Sequence, residues 1–340
     1  MRALPLRPVF AWLEITGFCN LACRHCYANS SPQGTHGVMS AADWLRVIDE
    51  LAAMGVRDVQ FIGGEPTLHP ELPRFVRHAL GKAMRVEVFS NLTHIRPEVW
   101  DVLRLPGVRV AFSYYSDRDA DHDDVTEARG AHARTRANVE KARELGVALR
   151  GSVIDVLRGQ RAGDAERDLL QLGIRDVRTD RVRPFGRGAD GAYPDLRRLC
   201  GMCGRAKFAV SPDGDMWPCV FARWMNLGNV REQSLQAVYD GIAMRAARAE
   251  LEAAFPGSAV RMSPTACPSA TRHSTRAARR PSARRTRPAN RPARARACRR
   301  ADPCATTTRV SRARGADGPG VGALAWPHAR RLPCAVSGAA

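Results

Sequence analysis

The chain has 340 residues, of which 44% are hydrophobic and 26% charged, with a formal net charge of +19. A length of this order suggests two domains of about 150 residues. No stretch approaches the roughly 18 apolar residues of a membrane helix, and the N-terminus lacks the pattern of a signal peptide. We therefore expect a cytoplasmic protein, in which ten cysteines indicate metal binding or catalysis rather than disulfides.

The positive charge is concentrated at the C-terminus. Pro268–Ala340 contains 17 arginines and two acidic residues, whereas the first 267 residues carry a net charge of only +4. The same segment has five Leu, Ile, Val and Phe residues in 73, which is too few to form a core. We therefore predict a disordered basic tail over residues 256–340. The nearly balanced charge of the remainder argues against nucleic-acid binding by the folded part.

Short apolar runs alternate with helical patterns through the first half of the chain. The predicted strands are Val9–Ile15, Val56–Ile62, Met84–Phe89, Val108–Ser113, Val147–Val156 and Ile174–Thr179. The predicted helices between them are Ala41–Met54, Leu72–Leu80, Pro97–Leu103, Ala133–Leu145 and Asp164–Leu172. This alternation predicts an α/β fold with a six-stranded parallel sheet, either open and doubly wound or an incomplete (β/α) barrel. In both, functional residues follow the carboxyl ends of the strands.

The motif Cys19-x-x-x-Cys23-x-x-Cys26 directly follows the first predicted strand. Three thiolates within eight residues can hold three irons of a [4Fe–4S] cluster and leave the fourth iron without a protein ligand. The alternatives are a zinc site with His25 as the fourth ligand and three unrelated cysteines.

The second motif, Gly63-Gly64-Glu65-Pro66-Thr67, follows the second predicted strand. Two glycines allow a backbone to approach a ligand closely, and a neighbouring carboxylate can receive an ammonium group. Taken alone, the motif is also compatible with an ordinary loop before a helix.

In this order and on consecutive strands, the two motifs resemble the radical S-adenosylmethionine (SAM) superfamily. The resemblance covers residues 9–183 and implies a partial (β/α)6 TIM-like barrel over residues 1–195. It implies a [4Fe–4S] cluster held by Cys19, Cys23 and Cys26, with SAM bound to the unique iron. The implied SAM contacts are Tyr27, Gly63, Gly64, Glu65, Pro66, Ser90, Asn91, Ser113, Arg150 and Ser152. Core packing of Tyr27 and ordinary strand-end polarity at the last five positions are alternatives.

The loop over residues 114–123 is rich in Tyr, Asp and His and is predicted to face the reacting side. It could hold a proton donor or acceptor, and a solvated polar loop is the alternative.

A second cysteine group comprises Cys200, Cys203 and Cys219. The Asp213-Gly214 turn predicts a hairpin that brings Cys219 back towards the other two. This pattern resembles the SPASM or Twitch auxiliary-cluster extension, which implies a small domain over residues 196–255 and a further iron–sulfur cluster. A zinc knuckle is the alternative.

SPASM domains continue with more cysteines after such a group. In this chain only four scattered cysteines follow Cys219, and their spacing is not that of a convincing set of ligands. They are Cys267, Cys298, Cys304 and Cys334. A frameshift in the gene or its record, a genuine basic arm and an inert extension each account for such a tail.

The resemblance implies reductive cleavage of SAM and hydrogen abstraction from a substrate carbon, most consistent with maturation of a ribosomally made peptide. Tailoring of a small-molecule natural product or cofactor is the alternative enzyme activity, and a zinc-containing nucleic-acid-binding protein is the alternative class. The implied partners are the substrate, a reductant such as flavodoxin or ferredoxin, and a separate leader-recognition protein, because only 18 residues precede Cys19. No membrane partner is expected.

Overall fold

The computed structural model describes residues 7–256. The predicted tail therefore lies outside the described residues from position 257 onward. Within the described range, none of the helices combines the length and the apolar character needed to cross a membrane.

Eight strands form one sheet in the order β6-β5-β4-β3-β2-β1-β7-β8. The strands are β1 Phe10–Thr16, β2 Asp58–Gly63, β3 Arg85–Ser90, β4 Val108–Tyr114, β5 Ala148–Asp155, β6 Asp176–Arg181, β7 Lys207–Val210 and β8 Met216–Trp217. The first six pair in parallel with their sequence neighbours, which confirms the predicted α/β fold and its six strands. Side chains from all six line one interior cavity, so the sheet curves around it as a partial barrel.

Helices follow the strands and cover the outer face of the sheet. They are α1 Ala41–Ala53, α2 Leu72–Gly81, α3 Pro97–Leu103, α4 Asp119–Thr126, α5 Ala131–Glu144, α6 Ala162–Gln171, α7 Leu235–Tyr239 and α8 Ile242–Ala254. Helix α1 begins at a capping box in which Ser40 and Asp43 satisfy each other's backbone N–H groups. It buries Trp44, Val47 and Leu51 against the sheet, as its periodic apolar pattern requires.

Helix α4 was not predicted and replaces much of the expected polar loop over residues 114–123. Its sequence is dominated by aspartate, which gives no apolar periodicity to detect. Asp119 and Asp121 lie in its first turn, where negative charge is favourable for the helix dipole.

The cysteine-rich segment after residue 196 continues the sheet of the barrel. Strand β7 pairs in parallel with β1, with Lys207 opposite Phe10, and so covers the edge that β1 would otherwise expose. Strand β8 pairs antiparallel with β7 through Ala209 and Trp217, which confirms the predicted hairpin. The strands of the segment predicted as a small domain over residues 196–255 are therefore part of the same sheet as the core.

Candidate active site and auxiliary metal site

A cavity of about 820 Å³ lies inside the curved sheet, and we call it the central cavity. Its volume is within the range of about 300–1,000 Å³ that is usual for ligand sites. Cys19, Cys23 and Cys26 line it beyond the carboxyl end of β1. Lys207 lines it beside Phe10, at the start of that strand. A strand of seven residues spans about 20 Å, so the cavity extends along most of the barrel.

The three cysteines of the loop after β1 are suited to hold a metal cluster. Burial raises the pKa of Cys19 well above its ordinary value and raises that of Cys23 to about 12. The loop closes on itself through a hydrogen bond from the N–H of Cys26 to the carbonyl of Cys23 (3.2 Å). Buried thiols of this kind become thiolates when a metal cation binds them. The donor set and the adjoining space therefore fit an iron–sulfur cluster.

A single metal ion has a different geometric requirement. Within residues 7–256, no three His, Cys, Asp or Glu side chains converge closely enough to surround one ion. His25, the predicted fourth zinc ligand, packs its ring against Tyr115 at 5.1 Å, and burial lowers its pKa to about 4.

The two glycines after β2 pack against the start of the cysteine loop. Gly63 has φ +138°, and a Cβ there would lie 2.3 Å from the carbonyl oxygen of Thr16. A Cβ on Gly64 would lie 2.1 Å from the carbonyl oxygen of Phe18. The N–H groups of Gly64 and Glu65 donate to these same carbonyls at 2.7 and 2.8 Å. The glycines are therefore needed for contact between two protein loops, and their backbone also lines the central cavity.

The carboxylate of Glu65 is surrounded by hydrogen-bond donors of the protein. Its Oε1 accepts from the N–H of Thr67 (3.1 Å), Thr67 Oγ1 (2.6 Å) and Ser90 Oγ (2.8 Å). Its Oε2 accepts from the N–H of Asn91 (2.6 Å), and the residue is only 1% exposed. A carboxylate has about four acceptor positions, and three of these four hydrogen bonds fall on Oε1. Glu65 therefore ties the loop after β2 to the loop after β3, and its contact with the SAM amino group stays a prediction.

The predicted SAM contacts fall into two groups. Eight of the ten line the central cavity, namely Tyr27, Gly63, Gly64, Ser90, Asn91, Ser113, Arg150 and Ser152. Glu65 and Pro66 are buried and do not line it. All ten positions remain predicted contacts.

Arg150 makes a buried ion pair inside the barrel. Its Nη2 lies 2.8 Å from Glu87 Oε1, its Nε donates to Glu87 Oε2 at 3.1 Å, and its Nη1 donates to Ser152 Oγ at 2.9 Å. The guanidinium has five N–H donors, so two remain available to a ligand. Arg150 lowers the pKa of Glu87 against the opposing effect of burial.

Arg187 is a site residue that the sequence did not reveal. It lies in a 3-10 turn after β6, over residues 186–189, and its Nε donates to the carbonyl of Cys23 at 2.8 Å. Its Nη2 donates to the carbonyl of Ser30 (2.8 Å) and its backbone N–H to that of Cys26 (3.0 Å). A Cβ on Gly186 would lie 2.4 Å from the carbonyl of Cys26. This turn therefore holds the cysteine loop from the opposite side of the barrel.

Two neighbouring tyrosines at the end of β4, Tyr114 and Tyr115, have different surroundings. Tyr115 lines the central cavity, and burial raises its pKa well above the ordinary value. Tyr114 instead hydrogen bonds to His132 and Asp168, each at 2.6 Å. Of the residues of this loop, Tyr115 is the one that lines the central cavity, and a proton donor or acceptor here stays a prediction.

Cys200, Cys203 and Cys219 come together at the start of β7, and we call this the auxiliary site. The Sγ atoms of Cys203 and Cys219 are 2.8 Å apart, and hydrogen bonding with Cys200 and Cys219 raises the pKa of Cys203. A backbone hydrogen bond from Gly204 to Pro218 (2.8 Å) fixes the approach of the two chain segments. The donor set fits an iron–sulfur centre.

The auxiliary site and the central cavity share one wall. The side chains that line both are Trp12, Arg183, Lys207, Val220 and Phe221. A ligand in the central cavity would therefore lie between the two groups of cysteines.

Comparison with known proteins places these observations in a family. A profile described as the radical SAM superfamily matches residues 13–172, and the SPASM iron–sulfur cluster-binding domain matches residues 200–267. Residues 13–172 therefore form a radical SAM domain, and the chain has the domain organisation of a radical SAM enzyme. The family implies a [4Fe–4S] cluster and SAM as cofactors, and the SPASM domain implies auxiliary iron–sulfur clusters.

Three curated relatives differ in the chemistry that their names give. The subtilosin biosynthesis protein AlbA of Bacillus subtilis is 25% identical over 268 residues, covering 68% of this chain and 60% of AlbA. The PqqA peptide cyclase of Rhodopseudomonas palustris is 27% identical over 252 residues, covering 62% and 67%. The AdoMet-dependent heme synthase of Methanosarcina barkeri is 32% identical over 137 residues, covering 40% and 39%. The chain thus spans between about two fifths and two thirds of these relatives.

Among solved structures, the fold resembles that of Streptococcus suis SuiB bound to its precursor peptide SuiA. The TM-score is 0.62 at 16% identity, and the match covers 72% of this chain and 67% of SuiB. At this identity the likeness establishes the fold alone.

Proposed function

We propose that this protein is a maturase that uses SAM-dependent radical chemistry to modify a ribosomally made peptide. The observation that carries the proposal is the reach of the alignments. Those to AlbA and to the PqqA peptide cyclase cover 68% and 62% of this chain, more than the predicted core of 195 out of 340 residues, which is 57%. The alignment to the heme synthase covers 40% of this chain, less than that core. The auxiliary segment therefore supports a peptide rather than a porphyrin as the substrate class.

The residues of the central cavity are arranged for this chemistry. When bound, the reduced cluster supplies the electron that splits SAM into methionine and a 5′-deoxyadenosyl radical. Cys19, Cys23 and Cys26 would hold that cluster at one end of the cavity. The polar side chains of Ser90, Asn91, Ser113 and Ser152 would orient SAM beside it.

The walls beyond that end would position the substrate carbon and keep water out. Trp12 and Phe221 present aromatic surface to the cavity near the auxiliary site. Tyr115 would hold or donate a proton close to Cys23. Hydrogen abstraction from a peptide carbon placed between the two sites is the reaction that this layout supports.

The auxiliary site would need a fourth ligand. Its three thiols lie within the SPASM match, which ends at Cys267, the next cysteine in the chain. We propose Cys267 as a further ligand, which extends the auxiliary segment beyond the predicted end at residue 255. The frameshift hypothesis then applies to residues after 267, where the arginine-rich composition begins.

The direct test is to incubate the reconstituted protein with SAM, a reductant and short peptides encoded by genes adjacent to its own. The proposal expects one peptide to change mass in step with 5′-deoxyadenosine formation. A variant with serine at Cys200, Cys203 and Cys219 is the matched control and should cleave SAM without modifying the peptide. Turnover of a small-molecule metabolite, with every neighbouring peptide unchanged, would overturn the proposal in favour of the small-molecule alternative.

A further inference from the structure

Lys207 occupies an unusual position in the wall between the central cavity and the auxiliary site. It is the first residue of β7, and in register with Phe10 it faces the barrel interior. Its Nζ lies 5.6 Å from the centre of the Trp12 ring. Only three lysines occur in the chain, and the other two differ: Lys82 forms an ion pair with Asp49 at 2.8 Å, and Lys141 lies over the Trp100 ring, outside the cavity lining.

The ammonium group of Lys207 is buried without a carboxylate partner. The residue is 3% exposed, and within residues 7–256 no Asp or Glu oxygen lies within ion-pair distance of its Nζ. Burying an unpaired charge is costly, and a cation–π contact offsets only part of that cost. A buried cation that borders open space is therefore suited to receive an anion that the folded chain does not supply.

The acidic side chains of the cavity are not available to pair with Lys207. Eight Arg and Lys side chains line it against three acidic ones, which are Asp58, Glu87 and Asp180. Each of the three is already held by arginine, through Arg85, Arg150 and Arg183 respectively. The cavity thus carries an excess of positive charge, and its acids are not free to neutralise Lys207.

We propose that Lys207 forms an anion-binding subsite that takes a carboxylate of the peptide substrate. This inference rests on the proposed function. The carboxylate comes from an Asp or Glu side chain or from a peptide C-terminus, which share the same recognition chemistry. The carboxylate of SAM is the less suitable ligand, because the cysteine loop follows the far end of β1, about 20 Å along the strand from Phe10.

The test measures binding of small probes to the reconstituted, full-length protein by calorimetry or ligand-observed NMR. The probes are N-acetylglutamate N-methylamide, its glutamine counterpart, and N-acetylglutamine with a free C-terminus. A charge-assisted hydrogen bond corresponds to roughly tenfold or more in affinity. We expect one carboxylate probe to bind about tenfold more tightly than the neutral amide, and the probe that does so identifies the source of the anion.

Three variants assign the effect to Lys207. Lys207→Met should abolish the preference for the carboxylate, Lys207→Arg should retain it, and the surface variant Lys82→Met should behave as the wild type. An independent reading comes from thermal unfolding of Lys207→Met. Because the charge has no internal partner, its removal should leave the melting temperature unchanged or raise it.

Several results would overturn the subsite. These are no discrimination between acid and amide by the wild type, equal discrimination by Lys207→Met, or a loss of SAM affinity in that variant as large as the loss of probe affinity. A lower melting temperature of Lys207→Met would show an internal partner and count against it too. Failure of the proposed function is distinguishable, because probes would then bind at Lys207 while no peptide is modified.

Discussion

The cysteine loop after β1 and the auxiliary site each gather three cysteines, but the protein builds them differently. The first holds its cysteines within eight residues and is braced from outside by the loop after β2 and by Arg187. The second brings Cys219 to Cys200 and Cys203 through a hairpin that is itself paired with β1. A motif in one loop needs support from its neighbours, whereas a site closed by sheet pairing depends on the register of the strands.

This difference predicts that the two sites can be removed separately. Alanine at Cys19, Cys23 and Cys26 should abolish 5′-deoxyadenosine formation, because these three thiols are the predicted protein ligands of the cluster that cleaves SAM. Iron bound at Cys200, Cys203 and Cys219 should remain. The measurement is product analysis together with iron content, and 5′-deoxyadenosine formation by the triple variant would show that the cluster was assigned to the wrong loop.

The next largest effect is expected from substitution of Glu65, which connects the loops that support the cysteine loop after β1. Glu65→Ala leaves the donors of Thr67, Ser90 and Asn91 without their acceptor in a buried position, which costs on the order of 1–3 kcal/mol per unsatisfied group. We expect a lower free energy of unfolding together with weaker SAM binding. Glu65→Gln keeps part of the acceptor capacity and should lose less of both. If Glu65→Ala weakened SAM binding at unchanged stability, a direct contact with SAM would be indicated instead.

Substitution of Arg187 tests whether its hydrogen bonds hold the cysteine loop in place. Arg187→Gln removes charge-assisted hydrogen bonds to the carbonyls of Cys23 and Ser30, each worth about 1.5–3 kcal/mol. The cysteine loop should then release iron faster to a chelator, while Arg187→Lys should show an intermediate rate. Arg175, an exposed residue next to β6 without a side-chain ion pair among residues 7–256 and outside the lining of the central cavity, provides the control as Arg175→Gln. Equal iron release from wild type and Arg187→Gln would contradict the brace.

The smallest effect on SAM cleavage is expected from shortening the chain. A stop after residue 267 retains Cys267, and a stop after residue 255 removes it. Both proteins should cleave SAM at nearly the full rate, but only the longer one should retain the auxiliary iron. Equal auxiliary iron in the two proteins would exclude Cys267 as a ligand.

Sequence reasoning succeeded where one short segment holds the relevant information. The six strands of the barrel and the hairpin at Asp213-Gly214 follow from local patterns, and the structure confirms them. It could not show that β7 extends the sheet beside β1, because pairing between strands almost 200 residues apart leaves no local pattern.

The roles of individual polar residues were also hidden. Glu65 was expected to contact SAM, whereas Arg187 carried no signal in the sequence. Their hydrogen-bond partners, which include groups of other loops, show that both residues hold the loops of the site together. The helix over Asp119–Thr126 was missed for a different reason, since it has almost no apolar face.

The most direct test of the central claim is made on the wild-type protein, reconstituted without oxygen and analysed for iron, labile sulfide and zinc before SAM and a reductant are added. The account predicts iron and labile sulfide, the broad visible absorption of [4Fe–4S] centres, and formation of 5′-deoxyadenosine. Zinc without labile sulfide, and SAM that stays intact under strong reduction, would contradict it.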